Sequence, residues 1–175
     1  MNGQEPPTPS DAGEIRLLRH ALATLAYRAE KSLRDAPKGF AAHRVGDSTR
    51  TPLELVGHLG DLMDWACNLA EGHWTWRADA LGEWERDVER FFSSLGKLDA
   101  RLATNDPPKF SAKVIFQGPV ADALTHVGQL SLLRGHAGGP VKPESYGRAE
   151  IVLGRVGREQ SKKRVEFEGD ASAKD

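Results

Sequence analysis

The chain has 175 residues, and its 24 Lys and Arg nearly cancel its 25 Asp and Glu, for a formal net charge of −1 at pH 7. That length suits one domain around one core. The charge balance excludes the strong global field that draws in phosphate backbones or anionic lipid, so neither nucleic acid nor a membrane surface is an expected partner.

Cys67 is the only cysteine, which rules out an internal disulfide and fits a reducing compartment. Residues 1–10 are polar, carry Pro6, Pro7 and Pro9, and offer almost nothing to bury, so a loose leader is expected there. They show neither the basic start nor the apolar run of a signal peptide, and no segment is apolar for long enough to cross a bilayer. A cytoplasmic location is the resulting expectation.

From residue 11 the pattern changes. Ile15, Leu18, Leu22, Leu25, Ala26, Ala29 and Leu33 recur every three or four positions, which predicts a first helix over 11–35 with one apolar side. Residues 36–50 hold Pro37, Gly39, Gly46, Asp47 and Ser48 and read as a loop. Thr51, Pro52 and Glu54 then supply an N-cap, a first-turn proline and a capping-box carboxylate in order, so a second helix starts at Thr51 and runs to about Gly72. Its stripe is Leu55, Leu59, Leu62, Ala66 and Leu69. Residues 73–82 carry Trp74 and Trp76 in a crossover whose indoles are expected to cover the end of the helical assembly.

Trp84, Val88, Phe91, Leu95, Leu98 and Leu102 mark a third helix. Residues 105–118 form a connection with Pro107 and Pro108 and one short helical turn near 112–116. Pro119 suits the first position of a fourth helix that ends near His136, stopped by Gly138, Gly139 and Pro140, with Ala123, Leu124, Val127, Leu130 and Arg134 on one side. Residues 141–175 are expected to drape over the helices and to end in a charged, mobile tail. Four amphipathic helices bury their apolar sides most economically against one another, so the fold class is all-α, a four-helix bundle over 11–140 with long connections and an irregular C-terminal extension.

Two of the six histidines stand out. On the second helix His58 falls at the edge of the apolar stripe beside Leu55, Leu62 and Trp65, and on the fourth His126 lies among Ala123, Leu130 and Leu133. Asp122 stands one turn before His126. Side chains four apart on one helix can reach a common ion, a third ligand can come from a facing helix, and three protein ligands leave a position open for chemistry. The same residues admit plainer roles: Asp122 as a carboxylate favoured by free amides in the first turn after Pro119, and the histidines as core-edge groups satisfied by carbonyls or by each other. Gln129 could support a ligand from behind or face solvent. Cys67 reads as a small buried hydrophobe rather than a nucleophile. His20, His43, His73 and His136 read as surface residues, and the charge run 161–164 as a solvated tail.

The stretch Thr51-Pro-Leu-Glu-Leu-Val-Gly-His58-Leu resembles the segment in which DinB-like proteins present their first metal-binding histidine. Asp122-Ala-Leu-Thr-His126-Val-Gly-Gln129-Leu is similar to the second half of their pattern, a ligand four residues before a histidine that a basic residue, Gly and Gln follow. Here Asp122 stands where His or Glu is usual, and Val127 where a basic residue is usual. The resemblance spans about 11–139. It implies a four-helix bundle, often a homodimer, that holds a divalent metal such as Zn, Ni or Mn, and in some members none. It also implies kinship with thiol-dependent S-transferases and a mycothiol-dependent isomerase. Mapped onto this chain, His58, Asp122 and His126 are the ligands, and the expected partners are a low-molecular-weight thiol and a small electrophilic substrate. The rival expectation is a non-catalytic bundle that dimerises or binds a small molecule without metal.

Overall fold

The computed structural model describes residues 11–167, and these are all-α. Helix α1 is Ala12–Leu33, α2 Pro52–Ala70, α3 Trp84–Leu102, α4 the short Ala112–Ile115 and α5 Ala121–His136. No β-strand is present among the described residues, which hold one isolated bridge between Glu144 and Glu166. None of the helices there is long and apolar enough to cross a membrane.

Local chemistry accounts for most boundaries. Asp11 caps α1 by accepting from Glu14 N at 2.7 Å. Thr51 and Glu54 form a complete capping box on α2, with Thr51 N–H donating to Glu54 Oε2 at 2.6 Å, a device that stabilises a helix start by about 1 kcal/mol. The last turn of α1 is closed from another element. Arg134 of α5, 7% exposed, donates to the carbonyls of Ser32, Arg34 and Asp35 at 3.3, 2.7 and 3.2 Å. An arginine on the apolar side of a helix is thereby satisfied by carbonyls that α1 leaves unpaired.

The start of the fourth long helix differs from expectation. Pro119 does not open it. Ser111 caps α4 by accepting from Val114 N, and the chain continues through a π-helical turn at Phe116–Val120 straight into α5. A proline inside an α-helix has no N–H for the carbonyl four residues back and its ring collides with that carbonyl, so the wider turn is the accommodation. Ala121 N–H reaches back to Phe116 O within it.

The four long helices neighbour one another in a closed cycle: α2 lies most extensively on α3, α3 on α1, α1 on α5 and α5 on α2. Their apolar stripes meet in one core, with Leu22, Leu25, Leu59, Phe91, Leu95, Leu98 and Leu130 fully buried. Residues 71–83 return along α2 rather than covering an end of the assembly. Asn68 Nδ2 donates to Thr75 O at 3.0 Å, Asp61 accepts from Asp79 N at 2.9 Å, and Asp87 accepts from Leu81 N and Gly82 N. Trp74 and Trp76 consequently stay 55% and 44% exposed and stand edge-on against Trp65.

The described part of the C-terminal extension also corrects an expectation. Arg164 is not solvated: its guanidinium pairs with Glu30 at 2.5 Å and stacks 4.3 Å from the Tyr27 ring, with its side chain 8% exposed. Ser161 donates to Glu150. The leader 1–10 and the charged end 168–175 lie outside the described residues.

Candidate metal centre

His58, two turns into α2, and Asp122 and His126, one turn apart on α5, converge where those helices neighbour each other. One donor atom from each lies within 4.8 Å of the others. Asp122 sits between the two imidazoles, with Oδ2 3.6 Å from His58 Nε2 and Oδ1 3.3 Å from His126 Nε2. The histidine side chains are 17% and 12% exposed, that of Asp122 47%. The rings stand nearly perpendicular with centroids 4.8 Å apart.

These separations carry chemical meaning. Both N···O distances exceed the 2.7–3.2 Å of an N–H···O bond. They lie close to the edge of about 3.4 Å that separates two ligands on a tetrahedral ion at about 2.1 Å. The three side chains therefore form a group that could hold a divalent cation. Aspartate's short side chain is no obstacle, because its carboxylate already lies between both histidines.

The helix running from Ala112 also removes the plainer role for Asp122. That residue is ten positions inside the helix, beyond the four amides a helix start leaves free.

The surroundings of the two histidines suit ligation. Burial, reinforced by the positive Arg50 and by His126, holds the His58 imidazole below its ordinary value and keeps it neutral at pH 7. Gln129 Oε1 lies 2.8 Å from His126 Nδ1, a placement that suits the tautomer in which Nδ1–H donates to the amide and Nε2 is free on the Asp122 side. Trp76 stands edge-on to His58, centroids 5.6 Å apart, and covers one flank. Val127, where the resemblance leads one to expect a basic residue, is 3% exposed and belongs to the core.

The cluster opens onto a cleft of about 600 Å³ walled by α2, α5 and the loop over 43–50. Arg50, Ser48 and Val45 come from that loop, and Leu132 and His136 from α5. The sequence pattern singled out neither the loop nor Arg50, because periodicity identifies helix faces and says nothing of where an irregular segment folds back. His136, read as a surface residue, is exposed and also lines this cleft. His20 and His73 are exposed as expected, whereas His43 is half-buried with its Nε2 shut off from solvent. Burial pushes the Cys67 thiol up to about 12, so it is no nucleophile at neutral pH.

No family model, curated protein or solved structure matches the chain.

Proposed function

We propose that this protein is a DinB-like four-helix bundle that holds one divalent cation, Zn, Ni or Mn, on His58, Asp122 and His126 and uses it in group transfer or hydrolysis on a small electrophile. The observation that carries the reading is the convergence of three metal-binding side chains, with the Asp122 carboxylate 3.6 and 3.3 Å from the two histidine nitrogens and one donor atom of each residue within 4.8 Å of the others. The closed cycle of four helices and the two sequence segments that resemble DinB-like proteins support it.

A cation bound there lowers the pKa of a coordinated thiol or water and supplies a nucleophile without a strong base. The chain's own residues do the rest. Asp122 contributes the negative charge that offsets a dication. Gln129 keeps the His126 proton on Nδ1. Trp76 keeps water off one side of His58. The cleft admits a ligand of small-molecule size. With Cys67 protonated and partly buried in contact with Ser94 O, an attacking sulfur has to arrive with a thiol co-substrate.

The test is metal content by mass spectrometry on tag-free protein, alongside His126→Ala with helix content checked by circular dichroism. The expected result is about one equivalent of divalent metal in the wild type and none in the variant. Absence of metal from the wild type, after incubation with zinc and with nickel, would sink the reading and leave a non-catalytic bundle.

A further inference from the structure

The cleft over the candidate ligands carries a cation that nothing in the described protein neutralises. Its outer wall, the loop over 43–50, is braced. Arg44 donates to the carbonyls of Asp47 and Thr49 and pairs with Glu54 at 3.2 Å, while Thr49 Oγ1 donates to Gly46 O at 2.7 Å. Arg44 is thereby consumed in holding the wall. Arg50, which that wall brings to the cleft, has no hydrogen bond or ion pair among the described residues. Arg50 lines the same cleft as His58, Asp122 and His126. Asp122 is the sole carboxylate on the lining and lies between the two histidines.

Most exposed arginines are solvated and need no partner. Arg50 differs in its setting. It shares the cleft lining with Ser48, and Val45 and Leu132, which line the same cleft, are 51% and 64% exposed. A planar guanidinium on a lining that also offers a serine matches a two-oxygen monoanion in geometry and charge. A phosphate dianion would need a second fixed cation, and Arg50 is the only Lys or Arg on the lining, since its loop neighbour Arg44 is paired with Glu54.

We propose that the cleft binds a small amphipathic carboxylate, with its carboxylate on Arg50 and Ser48, its aliphatic stem along Val45 and Leu132, and its far end at His58, Asp122 and His126. Only the last of these contacts rests on the metal reading, so Arg50 can be tested with or without an ion.

Isothermal titration of the zinc-loaded, full-length protein with 6-mercaptohexanoate and with 6-mercaptohexanol isolates the carboxylate. The acid should bind roughly tenfold tighter than the alcohol. Arg50→Gln should bring that ratio to about one while retaining the wild-type zinc stoichiometry, which shows that the variant is folded. Equal affinities in the wild type, or a preference that survives in Arg50→Gln, would overturn the proposal. So would tighter binding of hexyl phosphate than of hexanoate. If the protein takes up no zinc, the metal reading alone fails, and hexanoate against hexanol on the metal-free protein puts the same question to Arg50 with the same outcomes.

Discussion

Gln129 decides which nitrogen of His126 faces the cleft. Its amide oxygen lies 2.8 Å from Nδ1, where it favours the tautomer with a free Nε2 before any ion arrives. Removing that acceptor lets the ring rotate and exchange tautomers. Gln129→Leu is therefore expected to weaken zinc binding about 10- to 100-fold, measured by competition with a chromophoric chelator. The melting temperature should hardly move, because Gln129 is an exposed residue. Unchanged zinc affinity would mean that the bond is incidental. At this scale the sequence was informative where chemistry followed helical periodicity. His58 and His126 stood out because one falls at the edge of an apolar stripe and the other lies within an apolar arc. Asp122 stayed ambiguous because Pro119 looked like a helix start, and that start would have put Asp122 among free amides. A π turn leaves no pattern in composition or spacing, so only the folded chain shows that the short turn expected near 112–116 runs on through Pro119 into α5.

Helix boundaries set by short-range chemistry were legible too, with the Thr51, Pro52, Glu54 start of α2 the best example. Close approaches between elements were not, and α2 depends on one. Gly57 leaves room for the returning 71–83 segment: a Cβ there would sit 2.6 Å from the Ala80 Cβ, and the backbone of Ala80 follows at 3.7 Å. The glycine thus sets how tightly that segment lies along α2, and the segment carries Trp76, which stands against His58. In Gly57→Ala the crossover has to shift, and two effects oppose each other. Alanine favours helix by up to about 1 kcal/mol, whereas the overlap costs about 1–3 kcal/mol. The overlap should win, so urea unfolding is expected to show a net loss of stability of about 1 kcal/mol or more. The Trp emission should shift to the red as the indoles leave α2. A variant as stable as the wild type with unchanged emission would show that the segment is held by its Asp61, Asn68 and Asp87 bonds alone, with slack to spare.

For the whole molecule, the C-terminal extension is fastened to α1 by a buried charge network that periodicity could not reveal, since its members are far apart in sequence. Lys31, 2% exposed, pairs with Glu144 at 2.5 Å and with Glu166 at 2.9 Å, and Tyr27 donates its hydroxyl to Glu144. Burial, together with the bond to Glu144, pushes the Tyr27 hydroxyl up to about 12, so it remains a donor at every working pH. Burial alone would raise the Glu144 carboxyl. The hydrogen bonds from Lys31 and Tyr27 and the positive charge of Lys31 outweigh it, and the net position is below the ordinary 4.5. A carboxyl more acidic in the folded than in the unfolded chain stabilises the fold fully above the unfolded value. It loses that contribution as pH falls below 4.5 and through the depressed folded value. Glu144→Gln keeps the shape but leaves Lys31 with Glu166 alone, whose side chain is 24% exposed. The expected cost at pH 7 is about 3 kcal/mol, the lower end for breaking one partner of a buried pair. The variant should also lose less stability than the wild type between pH 5 and pH 3, because the titrating group is gone. Urea titrations of both proteins at those two values and at pH 7 measure both effects. Parallel acid profiles would assign the loss of stability to other carboxylates, and a neutral substitution at pH 7 would mean that apolar packing, through Val156 in the core, fastens the extension without help from the charges.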